Sequence, residues 1–357
     1  MTAKPLVLAC LILTLTACSA PAPQTIVATS TPIVTDTPTP PPPTETPTPT
    51  PEPTATPVPY RALVLERGNV ICGVDPARPD YTPDGINFDI DVCRAIAAAL
   101  FDTPAAIDAR PLDAGAGLAA LRSGEIDVYL GPIDNPPPDV VAGPALFIDA
   151  TGVMARNDVN IRTLTDLKFT TVCLLQDSID ERLFDAALAA ARVRVQAFLF
   201  SASDYDAMYA TYDQGRCDAI VDNRVRLGLQ LPILSAPREQ GVLDVALLIG
   251  RRGLLTVSRD ANWSEVIAAI GNGLIQAEEL DVNSANLDDA LAGDDPAVLQ
   301  LFGEEDDIGS GLGLTHDFVA RAIRHVGNYG EIYARHFPDL PRGPNALELD
   351  GGQIAPQ

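Results

Sequence analysis

Short apolar runs alternate with amphipathic stretches once the chain passes residue 60. Residues 69–74 form an apolar run stopped by glycine and proline, which predicts a buried strand. Residues 90–100 carry apolar side chains at helical spacing, and residues 118–121 predict a second, shorter helix that ends at Ser123 and Gly124. Residues 126–130 then predict another strand. Strand, helix and strand joined by short links indicate an α/β architecture with a parallel sheet.

The middle third of the chain repeats this pattern. Ser178 and Glu181 have the spacing of a capping box, which predicts the start of a helix that continues to Ala191. Later, residues 263–280 predict a long amphipathic helix, and the segment after Asp288 is mainly helical and polar. Two similar α/β units followed by a returning helical segment predict a bilobed protein with a cleft. The further predicted elements are strands at 170–175, 195–200 and 219–221 and a helix at 204–214.

The N-terminal pattern predicts export. Lys4 and the short apolar stretch after it are typical of a signal peptide over residues 1–17, and the stretch is too short to span a bilayer comfortably. Leu15-Thr16-Ala17-Cys18 resembles the lipobox of bacterial lipoproteins, in which the cysteine is acylated. Residues 18–59 then predict a Pro/Thr-rich disordered tether. The alternative is a secreted protein with an incidental Cys18.

Charge and cysteine content narrow the class of protein. The formal net charge of -24 argues against binding of nucleic acid or of anionic lipid headgroups. Four cysteines remain after the predicted signal and Cys18, and an even number in an exported chain suggests disulfides. Three connectivities are possible, and proximity along the chain favours Cys72–Cys93 and Cys173–Cys217. The sequence contains no C-x-x-C motif or Cys/His cluster, so we expect no metal site and no cofactor.

Seven stretches occur in a fixed order along the chain. They are RGNVICGVDP (67–76), FDIDVCRAIAAAL (88–100), LRSGEIDV (121–128), YDQGRCDAIVDN (212–223), LIQAEEL (274–280), HVGNYGEIYARH (325–336) and RGPNALELDGGQIAP (342–356). Together they resemble the substrate-binding proteins of the general L-amino-acid ABC transporter family. The resemblance covers most of residues 61–357, and the cysteines lie where the family has cysteines, which supports the pairing above.

The resemblance implies a bilobed α/β fold of the type II periplasmic-binding-protein class with a hinge and a C-terminal helical extension. Residues 60–152 and 252–357 are expected to form lobe 1, and residues 153–251 lobe 2. A small solute, either an amino acid or an amine, is expected to be enclosed between the lobes by hinge closure. The implied partners are an ABC permease and, through the lipid anchor, the extracytoplasmic face of the membrane. We expect a monomer.

The expected pocket departs from the family pattern at two places. The family places a carboxylate-binding arginine in a Ser-Arg-Asn-Thr-Thr stretch, a task that suits its forked guanidinium. Here residues 130–140 contain no arginine and include Asp134. The second departure lies at residues 176–180, where the family has Gly-Thr-Thr-Thr at a helix N-terminus. Ser178 retains one hydroxyl and Asp177 adds negative charge, and we favour a simple N-cap role for Ser178 over a ligand contact.

Two further positions match the family's ligand contacts. Asp222 matches the acid that receives the ligand's ammonium group, and its alternative role is to cap the turn after a strand. Tyr81 lies where the family has an aromatic wall, and an exposed loop tyrosine is the alternative. Arg251 and Arg252 are candidates for substitute positive charge, but we favour solvated surface positions for both.

These residues predict an acid-rich pocket without an assigned arginine. Our hypothesis is that the protein prefers a cationic or amine-bearing solute to a standard zwitterion bound in the family's manner. The alternatives are a sensor or structural lipoprotein on the same scaffold and, less favoured, a dehydratase-like enzyme. The sequence lacks G-x-S-x-G and H-E-x-x-H motifs, and the spacing of His316, His325 and His336 is more typical of a helical surface than of a catalytic site. We therefore predict a protein that is not an enzyme.

Overall fold

The computed structural model describes residues 59–82, 87–303 and 309–357. The described residues form one compact unit. The predicted signal peptide, the lipidation site Cys18 and the predicted tether up to residue 58 lie outside the described residues.

The described residues contain helices and strands in an alternating order over their first half and mainly helices near the C-terminus. The strands are β1 Val70–Val74, β2 Ile107–Pro111, β3 Val128–Pro132, β4 Val140–Arg156, β5 Thr171–Leu175, β6 Gln196–Phe200, β7 Ala219–Asn223, β8 Gln240–Val242 and β9 Leu247–Val257. The helices are α1 Tyr60–Arg67, α2 Phe88–Phe101, α3 Ala114–Ser123, α4 Ile179–Ala191, α5 Tyr205–Asp213, α6 Arg224–Gln230, α7 Ala261–Glu279, α8 Leu287–Leu291, α9 Pro296–Leu301, α10 Phe318–Val326 and α11 Tyr329–His336.

The strands form one mixed sheet in the order β2-β1-β3-β9-β4-β7-β5-β6, with β8 paired to β4. Two groups within it are parallel, namely β2-β1-β3 and β7-β5-β6. The long strands β4 and β9 run antiparallel to each other and to their neighbours, and they connect the two groups. The prediction of a parallel sheet therefore holds within each group and is wrong for the sheet as a whole. The bilobed α/β class is confirmed, whereas the residue boundaries of the two lobes stay predictions.

The two connecting strands are irregular where they pass from one group to the other. Their register shifts three times, between Ala142 and Ala145, between Ala145 and Phe147, and between Asp149 and Ala150. Such shifts bend a strand and change the direction of its side chains. Gly253 permits the close approach, because a Cβ atom there would lie 2.2 Å from the carbonyl oxygen of Pro144.

Both predicted disulfides are present. Cys72 of β1 pairs with Cys93 of α2, and Cys173 of β5 pairs with Cys217, which precedes β7. Each disulfide links the middle strand of one parallel group, β1 or β5, to another segment of the same group. Neither bond crosses between the groups, so both are compatible with relative movement of the two lobes.

Local capping explains where several helices begin. The Asn87 side chain accepts a hydrogen bond from the backbone N–H of Ile90 and starts α2. At α4 the Ser178 side chain accepts from the backbone N–H of Glu181, as predicted. The returning bond differs, because the Glu181 carboxylate accepts from the backbone N–H of Asp177 and not from that of Ser178. The predicted capping box is therefore only half formed.

The C-terminal helices complete the core around β1 and α2. Trp263 of α7, Phe318 of α10 and Tyr329 of α11 are all fully buried. The side chain of His336 is only 6% exposed, and its Nε2 lies 2.9 Å from an oxygen of Asp91 in α2. The expectation that the histidines mark a helical surface is therefore wrong for His336. Within the described ranges, the helices are all too short or too polar to cross a membrane.

Candidate ligand-binding site

A cavity of about 210 Å³ lies where β4 and β9 pass between the two parallel groups. Its walls come from the loop after β1, from β4 and β9, and from the first turns of α4 and α6. In sheets of this type, ligands bind beyond the carboxyl ends of parallel strands, which is where the loop after β1 and the two helix starts lie. The polar residues lining it divide into two sets, which we call the Arg78 wall (Asp75, Arg78, Arg252, with the ring of Phe147) and the Asp180 wall (Asp149, Asp180, Asn223, Arg226).

Arg78 is the most enclosed charge of the Arg78 wall. Its side chain is 4% exposed, and its Nε donates to Oδ1 of Asp80 at 2.8 Å. The same Nε lies 3.7 Å from a carboxylate oxygen of Asp89. Its guanidinium carbon lies 4.5 Å from the ring centre of Phe147, which is within the range of cation–π contact. Nη2 is buried and has no hydrogen-bond partner among the described residues.

Arg252 completes the Arg78 wall from β9. Its Nη1 donates to Oδ2 of Asp75 at 3.3 Å, and its Nη2 donates to the carbonyl oxygen of Leu130. The same Nη2 lies 3.8 Å from Asp89, so Arg78 and Arg252 share one carboxylate. Burial raises the pKa of Asp89, and the two arginines oppose that shift. The expectation of a solvated Arg252 is wrong, because its side chain is only 12% exposed.

The Asp180 wall contains carboxylates with neutral partners. Oδ1 of Asp180 accepts from the Thr151 hydroxyl at 2.6 Å, and Oδ1 of Asp149 accepts from the side-chain amide of Asn223 at 2.6 Å. Among the described residues, neither carboxylate has a cationic nitrogen within 4.0 Å. Burial raises the pKa of Asp180, and the neighbouring Asp149 adds to this effect.

Asp222 lies behind the Asp180 wall and does not itself line the cavity. It is 2% exposed, accepts from the Tyr209 hydroxyl at 3.0 Å and accepts from the backbone N–H of Asn223 at 2.8 Å. Nη1 of Arg226 lies 3.8 Å away, and the Arg226 guanidinium also lies over the ring of Tyr205. Burial raises the pKa of Asp222 to about 6, while Arg226 opposes the shift.

The other sequence-predicted ligand contacts do not line this cavity. Asp134 is exposed and accepts hydrogen bonds from the backbone N–H and Nε of Arg251, which confirms the surface position expected for Arg251. Ser178 caps α4, and Asp177 before it is exposed with a φ of 60°. Tyr81 is half-buried and packs against the core. The ligand-binding roles of these four residues and of Asp222 stay predictions.

The pocket without an assigned arginine is not what the structure shows, because Arg78, Arg226 and Arg252 all line the cavity. Two of them had a signal in the sequence. Arg78 follows β1, at the edge where ligands of such sheets bind. Arg226 lies in the first turn of the helix that follows Asp222 and β7, so it is close to that acid along the chain, and the two side chains lie 3.8 Å apart. Asp149 had no such signal, since β4 itself was not predicted.

The charged groups around the cavity suit it to bind a solute that carries a positive and a negative group at separate positions. The described residues contain no cluster of three or more His, Cys, Asp or Glu side chains suited to a metal ion. Three guanidinium groups and three carboxyl groups, those of Asp75, Asp149 and Asp180, line the cavity. Three more carboxyl groups lie behind the lining as partners of the arginines, those of Asp80, Asp89 and Asp222.

The two connecting strands, the two parallel groups and a polar cavity at their junction define the class of two-lobed solute-binding proteins. No family model matches the chain. The general L-amino acid-binding periplasmic protein AapJ of Rhizobium johnstonii is 30% identical over 314 residues, which cover 82% of this chain and 91% of that relative. The chain therefore belongs to the family of amino-acid-binding proteins of ABC transporters.

Two further relatives agree with this assignment. The glutamate/glutamine/aspartate/asparagine-binding protein BztA of Rhodobacter capsulatus is 28% identical over 310 residues, covering 81% of this chain and 90% of that protein. An ABC transporter periplasmic binding protein from Brucella ovis, solved with glutathione bound, superposes with a TM-score of 0.63 at 28% identity. The match covers 84% of this chain and 99% of that one.

Proposed function

We propose that the protein captures a small amine-bearing solute, either an amino acid or a related amine, and delivers it to the permease of an ABC importer. The observation that carries this proposal is the pair of acids on the Asp180 wall. Each cavity arginine has an acidic partner within 4.0 Å, whereas Asp149 and Asp180 have only neutral partners among the residues that the structure describes. A ligand ammonium would supply the missing positive charge. The named relatives support the transport role.

The site of action follows from the relatives and from the N-terminal sequence. The relatives include a protein named as periplasmic, which supports a position outside the cytoplasm. The lipobox-like sequence before Cys18 supports a lipid anchor that keeps the protein near its permease, with residues 18–59 as a tether. We infer a monomer that acts as a binding protein and not as an enzyme.

Isothermal titration of the purified protein tests the proposal. The panel contains neutral, acidic and basic L-amino acids, glutathione and putrescine. We expect saturable binding of at least one amine-bearing solute, with basic members binding more tightly than neutral ones. N-acetylated forms of the bound solutes are the control, and they should bind at least ~10-fold more weakly because acetylation removes the positive charge. Absence of binding across the panel would contradict the proposed function, and micromolar binding of several neutral L-amino acids would contradict the preference for positive charge.

A further inference from the structure

We propose that Arg78 binds a carboxylate of the solute while Asp149 and Asp180 bind its positively charged group, so that the preferred ligand is a basic amino acid with net positive charge. This inference rests on the proposed function and names the residues and the ligand class that it requires. It assigns the anion-binding role to the loop after β1, where the sequence resemblance places no such arginine.

The first argument is the unsatisfied donor on Arg78. One edge of the guanidinium is used by Asp80, and Nη2 is buried without a hydrogen-bond partner among the described residues. Buried polar atoms in native proteins nearly always have partners, and a charged donor left without one is costly. The residue lines the cavity, so a ligand oxygen bound there can supply the missing partner.

The second argument is that Arg78 is already oriented. The Phe147 ring lies against its guanidinium, and the bond from Nε to Asp80 fixes the plane of the group. Both contacts are made by the folded protein itself, so little conformational entropy remains to be lost when a carboxylate binds. Arginine is suited to this role, because its donors match the two oxygens of a carboxylate.

The third argument is the charge of the opposite wall. Asp149 and Asp180 interact with each other electrostatically, and the bonds from Asn223 and Thr151 occupy only one oxygen of each carboxylate. A ligand cation next to them would be attracted by both groups. Three arginines and three acids line the cavity, and Asp80, Asp89 and Asp222 behind it add further acidic groups, which favours a ligand with more positive than negative charge.

Two pairs of probes separate the carboxylate from the rest of the ligand. L-Arginine and agmatine differ by the carboxylate alone, and so do L-ornithine and putrescine. Isothermal titration of the wild-type protein should show tighter binding of the amino acid in each pair, by roughly 10- to 100-fold for a charge-assisted bidentate contact.

Arg78→Gln is expected to bring the affinity ratio within each pair close to one, mainly by weakening the amino acid. If this variant does not fold, Arg78→Lys keeps the charge and loses the fork, and the ratio should then fall several-fold. Asp180→Asn should weaken both members of a pair by about 10-fold while keeping their ratio. Arg182→Gln and Asp185→Asn are matched controls on exposed residues of α4 that do not line the cavity, and they should change neither value.

The outcomes distinguish this inference from the proposed function. If the wild-type protein binds both members of each pair equally, or if the Arg78 variants retain the wild-type ratio, the assignment of Arg78 is wrong and the transport function stands. If Asp180→Asn binds all four probes with unchanged affinity, the assignment of the cation-binding wall is wrong. If no amine-bearing solute binds at all, the proposed function fails together with this inference.

Discussion

The two walls of the cavity hold their charges in different ways. On the Arg78 wall, the charges are paired with one another in a dry setting, with side chains of Arg78, Asp80 and Asp89 each 4% exposed. On the Asp180 wall, the carboxylates have neutral partners, and Arg226 is 35% exposed and 3.8 Å from its acid. The first wall therefore has a fixed charge pattern, and the second retains groups that can respond to a ligand or to protons.

The difference shows how one cavity can serve two opposite ends of a ligand. A guanidinium remains charged at any ordinary pH, so its position can be fixed by packing against Phe147 and by ion pairs during folding. A buried carboxyl group can become neutral, and burial raises the pKa of Asp180 and of Asp222 in that direction, while the charge of Arg226 opposes both shifts. The raised pKa of Asp180 lowers the cost of leaving that carboxyl group without a cation, and a ligand cation next to it would favour its ionised form.

The largest expected effect on stability comes from removing the charge of Arg78. Arg78→Met leaves Asp80 and Asp89 buried with only part of their neutralising charge, so the free energy of unfolding should fall by about 3–5 kcal/mol. Urea denaturation with the disulfides intact measures this loss. Arg251→Met is the matched control, because it breaks an arginine–aspartate pair at the surface, with Asp134, and should cost less than about 1 kcal/mol.

The same experiment can fail in an informative way. If Arg78→Met and Arg251→Met lose equal stability, the Arg78 wall is not the dry, fixed charge cluster described above. Combining Arg78→Met with Asp80→Asn should recover part of the loss, because it removes one of the uncompensated carboxylates.

An intermediate effect is expected from Asp222→Asn, as a function of pH. The pKa of Asp222 is raised from the model-compound value of 3.8 to about 6 by burial, so the folded state binds a proton more tightly than the unfolded state. Its contribution to stability is fully present below pH 4 and is lost as the pH rises toward 6. Between pH 4 and 7, the wild-type protein should therefore lose about 2–3 kcal/mol relative to Asp222→Asn, as measured by urea denaturation.

Asp134→Asn serves as the control for that comparison. The pKa of Asp134 is lowered by hydrogen bonds from Arg251, so Asp134 is ionised in both folded and unfolded states above pH 5. The stability difference between wild type and Asp134→Asn should be flat from pH 5 to 7. A flat difference for Asp222→Asn as well would contradict the raised pKa of Asp222.

The sequence predicted the regular elements well where local signals were sufficient. The helix at 90–100 was recognised from its apolar spacing, and the structure extends it to Phe88–Phe101. β4 was missed because Gly143 and Pro144 interrupt its 17 residues, and both usually end a strand. Pairing with β9 sustains β4 across this interruption, and that pairing joins residues about a hundred positions apart.

The site was harder to predict than the fold, for the same reason. Whether an arginine is buried depends on partners that are distant in sequence. Arg252, for example, contacts Asp75, which lies 177 residues earlier in the chain. A motif comparison asks whether the family's arginine is present at the family's position, and here it is absent. A motif comparison does not detect an arginine in another loop, so the sequence marks Arg78 only by its position after β1, and its burial and partners come from the fold.

The smallest expected effect concerns Arg226, which links the acidic wall to the titrating Asp222. Its charge opposes the rise in the pKa of Asp222, so Arg226→Gln should raise that pKa above about 6. The pH-dependent loss of stability should then continue to a higher pH than in the wild-type protein. The free energy of unfolding at pH 7 should fall by only about 1 kcal/mol or less, because solvent screens a side chain that is one-third exposed. Urea denaturation from pH 4 to 8 measures both quantities, and the double variant with Asp222→Asn should show neither. An unchanged pH profile in Arg226→Gln would mean that Arg226 is not coupled to Asp222. The pKa of Asp222 would then be independent of the arginine in the Asp180 wall.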